Sequence, residues 1–409
     1  MFIEDEKILT PQDWVFPIPI AYGPGRIWEV GDYCTKYGIS NPLIVTDKGS
    51  KNLSFIDILK KALKKKNVSF GFYSGIAPNP NDKDLEMGCD QFSKDKHDGI
   101  IAIGGGSALD GGKAIGLTVN SGKDLWRFDY EKNPPKIDNN SVFPKLITIP
   151  TTAGTGAETE STAMVTHSKK LMKFCVWHPM YKPCQTILDP MVTLDLPFNL
   201  TAWTGLDALT HAIEAYLVPD FNPIYDAMAL ESLHLIWKYL PRACDNLNDL
   251  NARSGMLIGS CMAGVSFLKG LGLVHAISHM IGAEFNTHHG LTNAIILPTV
   301  LDFNLVNMGE KTNRITKSLG LKEDTQHHLI SCIKQLLTQL EIPESLSEIG
   351  VPDSCAKRIA KKAMFDTATS TNPVKVIVTE PLSNFQVRAG QSNCEIEQRL
   401  RVRLTSLRP

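Results

Sequence analysis

The sequence predicts two domains of different class: a parallel α/β domain over residues 1–197 and an all-helical domain over residues 198–409. Three observations carry this. At 409 residues the chain is longer than one ordinary hydrophobic core supports. From Gly23 to Pro197, apolar runs of strand length alternate with amphipathic runs of helix length, the pattern of a parallel sheet. After Leu188-Asp189-Pro190 and Leu194-Asp195-Leu196-Pro197 the alternation stops and a helical period takes over.

Composition excludes several function classes. The chain is 43% hydrophobic and 21% charged with a formal net charge of -1, so it lacks the basic face that nucleic acid or an anionic membrane requires. No stretch reaches the length of apolar sequence that a transmembrane helix needs. The acidic start, Met1 to Thr10, has neither the basic nor the apolar region of a signal peptide. The nine cysteines contain no CxxC pair, which favours reduced thiols, a cytoplasmic location and no sulfur-held metal.

In chain order, Pro42 to Asp47 reads as a buried strand and Ser54 to Lys66 as a Lys-rich amphipathic helix. Ser69 to Tyr73 is a second strand, and the turn Ala77-Pro78-Asn79-Pro80 keeps helix from starting before Asp82. Asp82 to His97 is a helix. Gly99 to Ile103 is a strand running straight into Gly104-Gly105-Gly106-Ser107, with a helix predicted over Ala108–Leu117. Free backbone N–H groups and the positive end of a helix, just past a strand, suit a pyrophosphate. The turn is neither GxGxxG nor a Walker A loop. A tight turn explains one glycine with positive φ but not three in a row, so phosphate binding is the reading we take. The strand Lys145–Ile149 leads into a second small, hydroxyl-rich turn, Pro150 to Gly156, at the carboxyl end of the sheet where ligands bind. A plain Ser/Thr-rich loop explains that segment equally well.

The helical half contains the stretch with the densest chemistry. Between Lys269 and Asn293 lie four of the eleven histidines. His275 and His279 are one turn apart on one helix face, and His288 and His289 follow a break at Phe285-Asn286-Thr287. The segment is not a zincin motif, because Ala276 rather than Glu follows His275. Upstream, Thr201 to Tyr216 places Asp207 and His211 on one face of another helix. Asp207, His211, His275 and His289 together make a donor set too rich in nitrogen for Mg or Ca and suited to Fe(II) or Zn(II). His279 is left as a supporting or proton-handling group.

Four segments in this order, GGGSALDGGKAIG (104–116), PTTAGTGAE (150–158), GLDALTHAIEAY (205–216) and GLVHAISHMIGA to HHGLTNA (272–294), resemble the iron-containing (group III) alcohol dehydrogenase family from about residue 15 to about residue 375. The resemblance implies a Rossmann-like domain joined to an all-helical one, the architecture shared with dehydroquinate synthase, with a nicotinamide cofactor between them. It assigns the metal to Asp207, His211, His275 and His289, and a catalytic place beside the substrate to His279. Cofactor contacts fall on Gly105, Gly106 and Ser107, on Asp110 in the first helical turn, on Thr151, Thr152 and Thr155, on Asn79 and on Lys173. Asp47 selects NAD over NADP, because a carboxylate repels a 2′-phosphate. The implied metal is Fe(II), with Zn(II) or another divalent ion as the alternative, and the implied assembly is a homo-oligomer, a dimer or larger.

The implied activity is metal-dependent, NAD(H)-linked interconversion of a primary or secondary alcohol with its aldehyde or ketone. A divalent ion lowers the pKa of the alcohol so that a hydride passes to nicotinamide. The rivals are a Zn-using glycerol dehydrogenase, a dehydroquinate synthase-like lyase, against which GLDALTHAIE speaks, and a metal-dependent hydrolase, which leaves both cofactor turns without purpose. Two departures from the family pattern stand out. His288 occupies a place where relatives often carry Pro or Gln, and the tail after about residue 380 has weak periodicity in place of a final helix.

Overall fold

The structure is a computed structural model and describes residues 9, 12–15, 18–137, 143–170, 172–378, 387–389 and 392–395. The acidic start and most of the atypical tail lie outside the described residues; within the tail, the backbone of two short strands is described.

A seven-stranded sheet organises the first half. Its strands are β1 (Gln12–Val15), β2 (Pro19–Tyr22), β3 (Pro42–Asp47), β4 (Gly71–Ile76), β5 (Gly99–Gly104), β6 (Lys145–Pro150) and β9 (Gln185–Leu188), ordered β1-β2-β9-β6-β5-β3-β4. Six run parallel, and β1 pairs antiparallel with β2. A separate hairpin, β7 (Thr162–His167) and β8 (Met172–Trp177), lies between β6 and β9 in sequence. Four helices cross between the strands: α1 (Val30–Tyr37), α2 (Ser54–Lys65), α3 (Asp82–Lys94) and α4 (Gly106–Val119).

The alternation of side chains across the strands builds two cores. Leu43, Val45, Ile100 and Ala102 face one way, toward Leu85, Phe92, Leu109 and Ile115 of α3 and α4. Ile44, Ile101 and Ile103 face the other way, toward Val30 of α1 and Phe55, Ile56 and Leu59 of α2. Strands covered on both faces read as unbroken apolar runs, which is why β3, β5 and β6 are plain in the sequence. From β3 the chain steps outward to β4 and then returns past β3 to β5. The connections therefore diverge above the carboxyl ends of β3 and β5, and a crevice opens there.

The second half is helical: α5 (Phe198–Leu217), α6 (Pro223–Asp245), α7 (Leu250–Ser266), α8 (Leu273–Phe285), α9 (His289–Asn304), α10 (Gly309–Ser318), α11 (Gln326–Gln339), α12 (Ala356–Ala363) and α13 (Thr367–Ser370). Helix α5 is the axis of this half, packed against α6, α7 and α9. It is buried on every side from Thr204 to Leu217. A polar residue on such a helix needs a partner, and Asp207, His211 and Glu214 find theirs in Asn293, in the Gly154 carbonyl, and in His275 with the Val274 amide. After α13 come three short antiparallel strands, β10 (Val376–Val378), β11 (Val387–Ala389) and β12 (Ser392–Glu395).

The two halves meet closely at one backbone crossing. Gly156, with φ of 62°, lies directly against Gly264 of α7, and a Cβ on either residue would collide with the backbone of the other. This contact presses the Pro150–Gly156 turn onto the helical half.

Candidate active site

A cleft of about 1620 Å³ runs between the sheet and the helices. Its sheet-side wall includes Asp47, Asn79, Gly105, Gly106, Ser107, Asp110, Thr151, Thr152, Thr155 and Lys173, and its helical wall includes Asp207, His211, His275, His279, His288 and His289. Every residue singled out in the sequence for cofactor or metal therefore lines one cavity.

At the sheet end, Asp47 closes β3. Its carboxylate accepts hydrogen bonds from the Gly49 and Ser50 amides at 2.9 and 3.0 Å and from the Ser50 hydroxyl at 2.7 Å. Gly105 is the residue before α4, so Gly106 and Ser107 form the helix's first turn with their amides unclaimed by the helix. The helix thus starts two residues before the predicted Ala108. A Cβ at Gly106 would come 2.5 Å from Thr155 Cγ2, which ties the two turns together and leaves room there only for glycine. The Ser107 hydroxyl donates to the Pro78 carbonyl, and Asn79 Nδ2 reaches Asn286 Oδ1 across the cleft at 2.6 Å.

Asp110 is occupied differently. Its carboxylate accepts from the Met164 amide at 3.2 Å and pairs at 3.3 Å with Lys113, a fully buried lysine that also donates to the Ala157 carbonyl at 2.8 Å. Sequence reasoning missed Lys113 and its second partner, Glu160, at 3.7 Å. Burial pushes the Glu160 carboxyl up to about 7 despite the opposing pull of Lys113, and burial pushes Glu158 up to about 6. The folded chain therefore holds the Glu160 proton more tightly than the unfolded chain, so its contribution is full below pH about 4.5 and is lost as pH rises through about 7. Glu160→Gln is expected to remove that slope, gaining up to about 3 kcal/mol on wild type between pH 5 and pH 8. Urea unfolding of both proteins at the two pH values measures this, and equal pH dependence in both would refute it.

At the helical end, one donor atom each from Asp207, His211, His275 and His289 lies within 4.8 Å of all the others. The far side of each imidazole is engaged. His275 Nδ1 donates to Glu214 Oε2 at 2.6 Å, His211 Nδ1 to the Gly154 carbonyl at 3.2 Å, and His289 Nδ1 to Ser278 Oγ at 3.4 Å. These bonds fix the tautomers so that each Nε2 lone pair faces the common centre. Asn293, fully buried, donates to Asp207 Oδ1 at 2.7 Å and sits 3.2 Å from Nε2 of both His275 and His289.

At two of the three imidazoles the surroundings favour the neutral form that a ligand needs. Burial holds His211 down at about 4, and burial together with the Lys173 ammonium keeps His289 well below the ordinary range. Burial pulls His275 down most strongly, but its hydrogen bond to Glu214 and the charges of Glu214, Asp207 and Asp366 together outweigh this and raise it. Three neutral-capable imidazoles and one carboxylate around one point fit a divalent transition ion. Lys173, on β8, lies in the wall between Asp110, Asp207 and Asp366, and burial lowers its pKa against their attraction.

His279 stays outside the four-donor cluster. Its Nδ1 donates to Asp366 Oδ2 at 2.9 Å, and its ring stacks on His289 with centroids 5.3 Å apart. Asp366 also accepts from the Ala368 amide at 2.9 Å, so its carboxylate is held rigidly. Glu214, Asn293 and Asp366 carried no spacing signal, although Glu214 lies one helical turn beyond His211, as His211 lies one turn beyond Asp207. His288 turns away from the cluster toward the Trp203 ring, at 4.9 Å.

Comparison with known proteins agrees with this geometry. Residues 17–190 match the family described as iron-containing alcohol dehydrogenase, and residues 201–382 match the C-terminal part of the Fe-containing alcohol dehydrogenase family. The chain is 33% identical over 368 residues to an NAD-dependent methanol dehydrogenase of Bacillus methanolicus, covering 88% of this chain and 95% of that protein. It is 34% identical over 365 residues to a choline dehydrogenase of Bacillus subtilis (strain 168), covering 87% and 90%. The solved structure of a 1,3-propanediol oxidoreductase superimposes with a TM-score of 0.83 at 31% identity, covering 93% of this chain and 96% of that one. The chain belongs to the iron-containing alcohol dehydrogenase family and is an oxidoreductase that interconverts an alcohol and its aldehyde or ketone.

Proposed function

We propose that this enzyme oxidises a short primary alcohol, or reduces the aldehyde, using NAD(H) and a divalent metal, with Fe(II) as the resident ion and Zn(II) as the alternative. The observation that carries the reading is one cleft with a glycine turn opening a helix at one end and a three-imidazole, one-carboxylate cluster at the other. The alcohols in the names of the similar proteins, methanol, choline and 1,3-propanediol, are all primary. The division into a dinucleotide-binding part up to about residue 197 and a metal-binding part beyond it is our reading of the same arrangement. Among the described residues eight cysteines are free, which supports a cytoplasmic location, and no single helix is long and apolar enough to cross a membrane.

Asp207, His211, His275 and His289 hold the metal, and the amides of Gly105, Gly106 and Ser107 hold the dinucleotide's diphosphate at the start of α4. Asp47 receives the adenosine ribose and disfavours a 2′-phosphate. Thr151, Thr152, Thr155 and Asn79 line the path between the two ends, with Lys173 beside the ribose of the nicotinamide half. When bound, the metal supplies a Lewis acid toward the alcohol oxygen and the nicotinamide ring an acceptor for the hydride. His279, kept in one tautomer by Asp366, presents Nε2 to the cleft and passes the alcohol proton toward solvent. The wall residues keep the reacting groups out of bulk water.

The test is NAD(H)-linked turnover on short primary alcohols, diols and aldehydes, comparing apo protein with Fe(II)- and Zn(II)-loaded protein. Metal-dependent turnover is expected. Dinucleotide binding without turnover of any alcohol or aldehyde would remove the activity, and His279→Ala with full kcat and an unchanged pH profile would remove the proton role alone.

A further inference from the structure

The walls of the cleft beyond the metal cluster carry charge and aromatic surface that the reaction itself does not use. Tyr130 and Glu131 project from the segment that follows α4. Their backbone is anchored: the Tyr130 amide donates to the Cys175 carbonyl of β8 at 2.8 Å, and the Glu131 amide donates to Asp129 Oδ1 at 3.2 Å. Phe365 and Asp366 line the same cleft. Tyr130 is 48% exposed and Phe365 69% exposed, so both rings present open faces where they line the cavity.

Charges in this region are unevenly matched. Lys132 is taken by Asp129 at 3.0 Å, and Lys269 by Asp226 at 2.5 Å. Lys173 sits among Asp110, Asp207 and Asp366. The Glu131 carboxylate has no hydrogen bond or ion pair with a described residue, and partial burial with the charges of Asp129 and Asp366 raises its pKa against the opposing pull of Lys132. Tyr130 is bonded to β8, the strand that packs against α8 with His275 and His279, and this places Glu131 toward the metal end of the cleft. Lys375 also lines the cavity and is exposed.

We infer that Glu131, with the ring faces of Tyr130 and Phe365, is a specificity-determining site that receives the distal end of the alcohol and favours a cationic or neutral group there over an anionic one. The inference rests on the alcohol dehydrogenase reading and deepens it by naming the substrate class: small primary alcohols whose far end carries an ammonium group or an uncharged group. A carboxylate and two aromatic faces attract an alkylammonium by charge and by cation–π contact, whereas an alcohol ending in a carboxylate meets Glu131 and Asp366 as like charges.

The experiment compares kcat/KM for choline, its uncharged isostere 3,3-dimethylbutan-1-ol, propan-1-ol and 3-hydroxypropanoate in the metal-loaded enzyme and in Glu131→Gln. The readout is the ratio between substrates within each protein, so a general change in activity cancels. The choline to 3,3-dimethylbutan-1-ol ratio is expected to fall about fivefold in Glu131→Gln, and the 3-hydroxypropanoate to propan-1-ol ratio to rise by a similar factor. Neutral alcohols turned over by both proteins with unchanged ratios would overturn the inference and leave the dehydrogenase reading standing. No turnover of any of the four would overturn both. Glu131 is exposed and its side chain supports no other residue, so the variant folds.

Discussion

His275→Ala is expected to give a folded protein that retains no tightly bound metal and oxidises alcohols at least about a thousandfold more slowly. The loss follows from position. His275 is 1% exposed, and its Nε2 lies 3.9 Å from Asp207 Oδ1 and 3.2 Å from the Asn293 amide. Removing it leaves three donors and a void on the side where Glu214 loses its partner. Several kcal/mol of stabilisation of developing charge on oxygen disappear with the metal, and each 1.36 kcal/mol is a factor of ten in rate. Dinucleotide affinity is the internal control, because Gly105 to Ser107 belong to the other wall and are expected to bind NAD(H) within about threefold of wild type. Metal content by plasma emission, circular dichroism and NAD(H) fluorescence quenching read the three quantities. A variant with a full complement of metal would overturn the ligand assignment.

How much of this site was visible in the sequence depends on how local each relationship is. His275 and His279, or Asp207 and His211, are four residues apart, and helical geometry alone brings each pair onto one face. The central strands were equally legible, since β3, β5 and β6 are buried on both faces and contain little but apolar residues. The sheet's other edge was not, because β2 finds β9 across more than 160 residues of chain and neither segment alternates clearly. The β7–β8 hairpin escaped for a related reason: its strands carry Thr, His, Lys and Cys and are half-buried against the cleft.

Element ends also shifted where backbone chemistry overrides side-chain pattern. Strand β4 begins at Gly71 and continues to Ile76, beyond the predicted Tyr73, because Ile76 pairs with Asp47 at the end of β3. Helix α3 ends at Lys94 rather than His97, since Lys96 takes a positive φ of 52°. Asp366 and His279 are 87 residues apart, and Glu214 and His275 are 61 apart; no spacing rule links either pair. Lys113 looked like an ordinary helical lysine, and only the fold shows it buried between Asp110 and Glu160. The residues that cluster as candidate donors were legible, then, while the groups that orient them were not.

Those orienting groups carry the second large expectation. Glu214→Gln is expected to weaken metal affinity by about 10- to 100-fold while leaving all four donors in place. Glu214 accepts two hydrogen bonds in a buried setting, from His275 Nδ1 at 2.6 Å through one oxygen and from the Val274 amide at 2.8 Å through the other. A carboxylate can do both; a carboxamide has one oxygen and one NH2. If the Gln oxygen faces Val274, its NH2 meets His275 Nδ1 and forces the proton to Nε2, the atom aimed at the metal. If the oxygen faces His275, the NH2 meets the Val274 amide and two donors oppose each other at the start of α8. Either orientation loses a bond, and the negative charge that raises the basicity of His275 is gone in both. Chelator competition measures the affinity, with Ser278→Ala as the comparison. The Ser278 contact to His289 is a longer, neutral hydrogen bond at 3.4 Å, so that variant is expected to change affinity by less than about threefold. Equal losses from the two variants would mean that packing around α8, and not the charge on Glu214, sets the strength of the site.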